Sequence, residues 1–394
     1  MAGFDAIWEA HLTGRANGAY HEIRPDLVYG HEGTLALIVE QLRRVRGPRL
    51  DSSRLFWVVD HFAPPSSGHF ADILKEYVGF CREKSIPLCR MAGIGHLLML
   101  ESDRVRPGML VVGADSHTTT IGGKGAVGIG LGSTDIMAAL MTGTVWLRRP
   151  EVSRIRLTGR PAPYVEPKDV VLHLLGRFGQ AGFLGRALEF LESADQPMSA
   201  ERAAVLTNMT VEMGAVTGVF VRCDDRREWE RPGDFTVDLS ALVPLVARPG
   251  RPDDVVPAAE AGDVRIDQVH VGSCAAGGLA DLKIAAHLLS GRNVAPGVTL
   301  LITPGTAAAF ESAARQWFVA EFLRAGAVVL NPSCGACGGI DKGIPATRDV
   351  VVTTGPRNYG SRARIGSSVY LASTATAVAS AIAGRIVPAT EVVG

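Results

Sequence analysis

The sequence has no excess of charge of either sign, no basic leader and no long uninterrupted hydrophobic run. Lysine plus arginine and aspartate plus glutamate total 40 each among 394 residues, so no net field attracts nucleic acid or an anionic membrane. Residues 1–9 carry acids where a secretory signal would be basic and then apolar. The most apolar long stretch, residues 127–147, is interrupted by glycines and Asp135, which favours a buried turn and helix over a membrane span. We therefore expect a soluble, cytoplasmic protein.

Cysteine is scarce as well, with six residues in the chain. That number is too small for a disulfide scaffold, and an intracellular setting would keep the thiols reduced, which leaves metal binding or burial. Cys334 and Cys337 form a Cys-x-x-Cys turn in "NPSCGACGG", and Cys274 lies in the similar "VHVGSCAAGG". Such a turn alone suits a redox pair, half of a zinc site or half of an iron-sulfur site. Three thiolates would leave one iron of a [4Fe-4S] cluster open as a Lewis acid; the alternative is that the three side chains bind nothing. For Cys81 and Cys89, burial is the favoured interpretation.

Short β-branched runs alternate with apolar segments of helical length, which predicts an α/β fold of mainly parallel sheets covered by helices. Strands are predicted at residues 55–59, 109–112, 152–157, 268–271, 298–302 and 328–330. Helices are predicted at residues 34–45, 70–83, 134–149, 167–178, 199–213, 279–289 and 307–325, with Gly326 as a left-handed cap. A charged, proline-bearing region and the end of a predicted helix place domain boundaries near residues 265 and 150, giving domains 1–150, 151–265 and 266–394.

Histidines next to carboxylates follow two of the predicted strands. Asp60 and His61 end one strand in "VVDHFAPP", and "GADSHTTT" places Asp115, Ser116 and His117 at the end of another. A third segment, "GIGHLLML", contributes His96. Ligands bind at the carboxyl ends of parallel strands, and an imidazole held by a carboxylate is suited to delivering a proton to a leaving hydroxyl. We therefore expect a site here, with histidines satisfied in the core as the alternative.

Two further pairs of polar residues are candidates for substrate contacts. Arg357 and Arg362 lie five residues apart in a glycine-containing loop; guanidinium groups bind carboxylates through two hydrogen bonds, so the pair suggests a di- or tricarboxylate substrate, with a solvated basic loop as the alternative. Asn208 and Glu212 lie four residues apart, hence on one face of a helix, within an apolar stretch. A carboxylate buried there needs a partner or a function, whereas the alternative is a pair facing solvent.

The glycine-rich segment "IGGKGAVGIGLGSTD" does not predict a nucleotide site. Lys124 is followed by glycine rather than serine or threonine, and the glycine spacing does not match the dinucleotide fingerprint. No G-x-S-x-G nucleophile turn is present either. Tight turns beneath the histidine-bearing loops are the favoured explanation.

Six segments, in this order, resemble the aconitase superfamily, most closely the large subunits of 3-isopropylmalate dehydratase and homoaconitase: "DHFAPP", "ADSHTTTIGGKGAVGIGLGSTD", "NMTVEMGA", "VGSCAAGG", "CGACGG" and "RNYGSRARIGSSVYLAS". The resemblance runs from about residue 26 to about residue 384. It implies three α/β/α domains around a central cleft that holds a [4Fe-4S] cluster. It also implies a fourth, mobile domain, expected here as a separate small subunit that brings further substrate-binding residues and the serine base. The implied reaction is removal and re-addition of water on a small hydroxy di- or tricarboxylic acid, catalysed by a hydro-lyase or isomerase.

The resemblance also implies roles for individual residues. Those that match its cluster ligands are Cys274, Cys334 and Cys337. The family's proton-donating pair and the groups near its iron are matched by Asp60, His61, His96, Asp115, Ser116, His117 and Glu212. Those that match its substrate-proximal groups are His31, Asn208, Arg357 and Arg362.

The chain departs from the family pattern at two places beside the implied cluster. Ala275 and Ala276 stand where threonine and asparagine are common, and Pro356 stands where asparagine is usual. Both changes remove polar groups. Polar groups that contact the ligands of a metal centre affect its metal affinity and its electronic properties. We expect a specialised substrate outside leucine biosynthesis. The competing hypotheses are a non-catalytic aconitase-like binding or regulatory protein and a zinc hydrolase that uses the three thiols.

Overall fold

The structure is a computed structural model that describes residues 3–44, 51–192, 197–222, 234–359 and 364–393. Its strands are β1 Leu12–Asn17, β2 Tyr20–Ile23, β3 Leu27–His31, β4 Leu55–Val59, β5 Leu88–Arg90, β6 Leu110–Gly113, β7 Val127–Gly130, β8 Val145–Arg148, β9 Val152–Thr158, β10 Ala187–Leu191, β11 Thr217–Val221, β12 Phe235–Asp238, β13 Leu245–Ala247, β14 Val255–Pro257, β15 Gln268–Val271, β16 Thr299–Ile302, β17 Val328–Val329, β18 Val350–Thr353 and β19 Ser368–Ala372. Its α-helices are α1 Phe4–Ala10, α2 Glu32–Leu35, α3 Val39–Arg44, α4 Gly68–Glu83, α5 Gly95–Glu101, α6 Ser133–Thr142, α7 Pro167–Phe178, α8 Ala200–Asn208, α9 Leu279–Leu289, α10 Ala307–Arg315, α11 Phe318–Arg324, α12 Thr374–Ala383 and α13 Thr390–Val393.

The chain folds into two compact units. Unit 1 comprises Met1–Arg156 and Phe183–Phe235, and unit 2 comprises Leu157–Gly182 and Thr236–Gly394. Parallel pairing dominates the larger sheets of both, which confirms the predicted α/β fold with mainly parallel sheets. The division into three domains at residues 150 and 265 stays a prediction. Within the described ranges, no helix combines the length and the apolar composition needed to cross a membrane.

Unit 1 is built on a five-stranded parallel sheet in the order β5-β4-β3-β6-β7. Strand β4 shows why its sequence is a continuous apolar run. Trp57 and Val59 pack into one core, and Phe56 and Val58 pack into another on the opposite face. A strand buried on both faces needs apolar residues at every position, because successive side chains point to opposite sides.

The order of these strands creates a place for a ligand. From β3 the chain moves to β4 and β5 on one side and then to β6 and β7 on the other, so the direction of winding reverses between β3 and β6. Such a switch point opens a crevice at the carboxyl ends of the strands. His31 ends β3, Asp60 follows β4 and Asp115 follows β6, so three candidate residues lie at this edge.

Unit 2 is built on a seven-stranded sheet in the order β14-β13-β19-β18-β15-β16-β17. The five strands from β19 to β17 are parallel, and β13 adds to β19 in the antiparallel sense. Cys274 follows β15, the pair Cys334 and Cys337 follows β17, and Arg357 follows β18. Since these strands are parallel near-neighbours, the segments that carry the thiols and the arginine leave the same edge of the sheet.

Two predicted helices are wrong over part of their length. The helix predicted at 134–149 ends at Thr142, where Gly143 has φ +77°, and the following run of β-branched and aromatic residues forms β8, antiparallel to β2. The helix predicted at 307–325 is broken into α10 and α11 at Trp317, which has φ +64°. In both cases a left-handed residue ends the helix, and apolar periodicity does not reveal it.

Other predicted elements are close to those observed. The strands at 55–59 and 268–271 and the helices at 167–178 and 279–289 have the predicted bounds, and Gly326 has φ +89°, as expected for a left-handed cap. The segment predicted as one helix at 199–213 is α8 followed by a 3-10 turn over Met209–Met213.

Candidate active site

The pair Asp60 and His61 forms a tight ion pair at the end of β4. His61 Nδ1 lies 2.6 Å from Asp60 Oδ1, and Asp60 Oδ2 accepts a hydrogen bond of 2.7 Å from the backbone N–H of Gly95. Burial alone would raise the pKa of Asp60, but the charge of His61 outweighs it and holds that pKa below its usual range. Burial would likewise lower the pKa of His61, but Asp60 raises it to about 9. At neutral pH His61 is therefore an imidazolium whose Nδ1 proton is held by Asp60, so the Nε2 proton is the one available for transfer.

This pair makes the stability of the protein pH-dependent. A pKa raised from 6.5 to about 9 for His61 contributes stability that is fully present below pH 6.5 and is lost as pH rises through about 9. We expect the thermal midpoint to fall over that interval, and to fall less in Asp60→Asn, which removes the partner of the imidazolium. Calorimetry of both proteins across the interval measures this; equal slopes would contradict the assignment.

Glu32 is a buried acid that the sequence analysis did not single out. It is fully buried, and its carboxylate accepts hydrogen bonds from the backbone N–H groups of Asp60 (3.2 Å), His61 (2.7 Å) and Phe62. Burial, followed by the nearby Asp60, raises the pKa of Glu32. Its acidic side chain immediately after an apolar strand was the available signal. Glu32 fixes the backbone of the loop that presents His61.

Four residues of this region bring ligand-type atoms within 4.8 Å of one another, namely His31, Glu32, Asp60 and His61. Both carboxylates already accept backbone hydrogen bonds, and Asp60 also holds His61. Their lone pairs are thus committed to the protein, and the arrangement suits holding a proton better than holding a metal ion.

His31 connects this pair to the second cluster. Its ring stacks on that of His61, with centroids 4.1 Å apart and an angle of 13°. Nδ1 accepts a hydrogen bond of 3.2 Å from the N–H of Gly33, so the proton is on Nε2, which lies 3.4 Å from Asp115 Oδ2. His31 is only 2% exposed. It therefore links the loops after β4 and β6 across the switch point.

Asp115 is the centre of the second cluster. Oδ1 lies 3.1 Å from His96 Nε2 and 3.7 Å from His117 Nδ1, and it accepts a hydrogen bond of 2.7 Å from the N–H of His117. Burial would raise the pKa of Asp115, but His96, His117 and His31 together hold it well below its usual range. His117 Nε2 lies 3.2 Å from Glu212 Oε1, so each histidine of the cluster has a carboxylate partner. Ser116, between the two cluster residues, is exposed and begins a 3-10 turn.

Two buried polar atoms of this region have no hydrogen-bond partner among the described residues: His96 Nδ1 and Asn208 Oδ1. Asn208 Nδ2 donates to Thr120 Oγ1 at 2.8 Å, which fixes the orientation of the amide and leaves Oδ1 without a donor. Burying unpaired polar atoms costs free energy, and such atoms often mark the place of a ligand. Asn208 and Glu212 are both buried, so the alternative of a pair facing solvent is wrong.

The glycine-rich segment supports these loops through close backbone contacts. A Cβ at Gly122 would lie 1.9 Å from the carbonyl oxygen of Gly218, and one at Gly128 would lie 2.0 Å from that of Thr118. Gly125 has φ +79° and turns the chain. The glycines are therefore explained by close packing and a turn.

The three candidate cysteine ligands are partly buried thiols of unit 2, and none of them forms a disulfide within the described part of the chain. Cys274 follows Gly272 and Ser273, both with positive φ (+152° and +74°). Cys337 donates its N–H to the carbonyl of Cys334 at 3.3 Å within a 3-10 turn. A Cβ at Gly355 would lie 3.4 Å from Cys337 Sγ, so the chain before Arg357 passes close to this sulfur.

A buried lysine anchors the segment that leads to Arg357. Lys168 is 3% exposed, and its Nζ donates to the carbonyls of Thr354 (3.2 Å) and Gly355 (2.7 Å). The sequence analysis did not identify it, because a lysine in the first turn of a helix resembles an ordinary surface residue. Arg357 is half-buried, and Arg362 lies outside the described residues.

The donor chemistry of the three cysteines fits a metal-sulfur group. Among the residues that the structure describes, the three thiols form no disulfide, and thiolates are the ligands of zinc and of iron-sulfur clusters. Glycines at 272, 335 and 355 let the turns pack closely against Thr303, His270 and Thr353, which fixes the backbone that carries the thiols.

Comparison with known proteins identifies the protein family. The family model described as Aconitase family (aconitate hydratase) matches residues 5–231 and 258–384. The chain belongs to the aconitase family. The 3-isopropylmalate dehydratase large subunit of Moorella thermoacetica is 36% identical to it, over 93% of each chain. The probable methanogen homoaconitase large subunit of Methanothermobacter thermautotrophicus is also 36% identical, over 94% of this chain and 92% of that one.

A solved structure agrees with the aconitase-like fold. Aconitase X of Thermococcus kodakaraensis superposes with a TM-score of 0.57 at 14% identity, covering 86% of this chain and 84% of that one. At that identity the likeness bears on the fold alone. Together with the family match, it confirms the aconitase-like architecture, and the family membership makes this chain a hydro-lyase.

Proposed function

We propose that this chain is the large subunit of a cytoplasmic [4Fe-4S] hydro-lyase that dehydrates and rehydrates a small hydroxy di- or tricarboxylic acid. The observation that carries the proposal is the pair of buried Asp60 and partly exposed His61, a protonated imidazole held ready at the end of a strand. A hydro-lyase needs such an acid, because hydroxide is a poor leaving group until it is protonated.

The cluster ligands would be Cys274, Cys334 and Cys337. When bound, the cluster supplies a Lewis acid at the iron without a protein ligand, which stabilises negative charge on substrate oxygens. The three thiols lie on segments that leave the same edge of the seven-stranded sheet, which supports the assignment.

The remaining residues bind and orient the substrate or hold protons. His61 would donate its Nε2 proton to the departing hydroxyl, and Asp60 would keep the imidazole oriented. Arg357, with Arg362, would bind a substrate carboxylate through paired hydrogen bonds. His96 Nδ1 and Asn208 Oδ1, which have no hydrogen-bond partner among the described residues, would accept hydrogen bonds from the ligand or from its water. His117 and Glu212 would hold the side chains around these atoms in place.

A small subunit completes the proposed enzyme. The relatives are named as large subunits and have nearly the same length as this chain, which supports a partner that carries the mobile domain and the serine base. Ala275, Ala276 and Pro356, which are buried, stand where polar residues are common in the family, and we propose that this departure marks a specialised substrate instead of 3-isopropylmalate.

The decisive experiment is anaerobic co-expression with a small-subunit candidate from the same genome. We expect about four iron and four sulfide per chain and ultraviolet absorbance from enoate formation with one member of a panel of hydroxy di- and tricarboxylates. Stoichiometric zinc without iron would favour a hydrolase, and salt-sensitive RNA retention without turnover would favour a binding protein. If 3-isopropylmalate were the best substrate of the panel, the specialised-substrate hypothesis would be wrong.

A further inference from the structure

His270 is a buried histidine in β15, the strand that leads to Cys274. It is 1% exposed, its Nε2 lies 3.1 Å from Thr303 Oγ1, and its Nδ1 lies 3.4 Å from Thr353 Oγ1. These threonines belong to the ends of β16 and β18, the two strands that flank β15. Burial lowers the pKa of His270 to about 4, so the ring is neutral at physiological pH and can donate to one hydroxyl while accepting from the other.

The backbones of both cysteine-bearing turns lie against this imidazole. A Cβ at Gly272 would lie 3.2 Å from His270 Nε2, and a Cβ at Gly335 would lie 2.9 Å from the same nitrogen. Both glycines have positive φ, +152° and +57°. Gly272 precedes Cys274 by two residues, and Gly335 follows Cys334 directly. One ring nitrogen thus lies beside the main chain of two turns that are far apart in sequence.

The other side of the ring is linked to the segment before Arg357. Thr353 Oγ1, the partner of Nδ1, accepts a hydrogen bond of 3.0 Å from the N–H of Gly355. Gly355 is the residue whose Cβ would lie 3.4 Å from Cys337 Sγ. His270 therefore has connections to all three segments that leave this edge of the sheet with a candidate ligand or a substrate-binding side chain.

We propose that His270 is a positioning residue that sets the spacing between the Cys274 turn and the Cys334–Cys337 turn. The role in cluster assembly rests on the proposed function, whereas the spacing is a property of the chain alone. An apolar ring of similar size would leave the hydroxyls of Thr303 and Thr353 without these partners in a buried place, and the flanking strands would lose a common hydrogen-bonded anchor.

The test compares His270→Phe with His270→Gln, whose amide can still donate and accept, and with Gln268→Leu as matched control. Gln268 lies two residues earlier in β15, and its amide donates to the carbonyl of Gly343 at 2.8 Å, so it lacks the link to Thr303 and Thr353 that His270 makes. Hydrogen exchange is followed on the metal-free full chain at residues 272–277 and 333–339. Thiolate-to-cobalt charge-transfer absorbance then reports how many thiols a single Co²⁺ ion engages.

In His270→Phe we expect exchange at both turns to rise by at least about tenfold, the effect of losing two hydrogen bonds, and the charge-transfer absorbance per bound cobalt to fall. His270→Gln should restore both values, and Gln268→Leu should match the wild type. Unchanged exchange and absorbance in His270→Phe, or equal changes in Gln268→Leu, would overturn the proposal. If His270→Phe does not fold, Thr303→Val, which removes the hydroxyl partner of Nε2, carries the test with an expected rise of about fivefold, the effect of losing one hydrogen bond. Absence of iron and sulfide from the wild-type complex of large and small subunits would contradict the proposed cluster. The hydrogen-exchange data would still decide the role of His270.

Discussion

Replacing His61 by alanine is expected to lower kcat by about 10²–10⁴-fold, the usual contribution of a positioned general acid, while KM changes little. The reason is the charge state of the pair. Asp60, completely buried and 2.6 Å from His61, raises the pKa of the imidazole to about 9, so the variant loses the proton donor that we propose for the departing hydroxyl. Steady-state kinetics of the reconstituted pair of subunits measures the effect.

His69→Ala is the matched control for this prediction. His69 lies in the first turn of α4, a few residues after His61, and is exposed. It should therefore leave kcat unchanged within about twofold, as expected for a surface substitution. A His61→Ala enzyme with more than about a third of the wild-type kcat would remove His61 from the role of acid.

The sequence predicted the place of the histidine cluster better than its connections. Asp60 and Asp115 follow apolar runs, so strand ends could be expected to bring them to one edge of a sheet. Which partner each histidine has could not be predicted, because the contacts cross long stretches of sequence: His117 bonds to Glu212, 95 residues away, and His31 meets Asp115 only because β3 and β6 are neighbours.

The residues that the sequence analysis missed share a physical reason. Glu32, Lys168 and His270 are polar residues whose partners are mostly backbone groups or threonine hydroxyls. Motif spacing identifies residues that do chemistry, whereas these residues hold loops, and their importance appears only once burial and hydrogen bonds are known. The polar residue inside the apolar run "VHV" was a weak signal for His270, since a satisfied core histidine gives the same pattern.

The same distinction explains the errors in the fold. Apolar periodicity continues through Gly143 and Trp317, although both have left-handed backbones that end a helix. Glycine tolerates that conformation, whereas for tryptophan, which has a Cβ, it is strained. The break at Gly143 had a local signal, the glycine itself, whereas the break at Trp317 had none.

Substitution of each candidate ligand by serine, in Cys274→Ser, Cys334→Ser and Cys337→Ser, is expected to abolish turnover and to lower the iron content of the anaerobically purified pair of subunits. A serine hydroxyl is a much poorer iron ligand than a thiolate, and a cluster held by three thiolates has no spare protein ligand. The loss of activity should exceed that of His61→Ala, because a missing cluster removes both the Lewis acid and the oriented substrate. Iron and sulfide analysis, together with visible absorbance, measures the first effect independently of activity.

Cys81 and Cys89 provide the contrast that gives this prediction its specificity. Cys81 is 2% exposed in α4, and burial raises the pKa of its thiol to about 12; burial raises the pKa of Cys89 in β5 as well. Thiols of this kind stay protonated and do not bind metal. Cys89→Ser should therefore retain full iron and full turnover, and Cys81→Ser should lose some stability, because it buries a hydroxyl, but keep its iron. Retention of cluster and turnover in any one of the three ligand variants would remove that cysteine from the ligand set and, with it, the assignment of a cluster held by three thiolates.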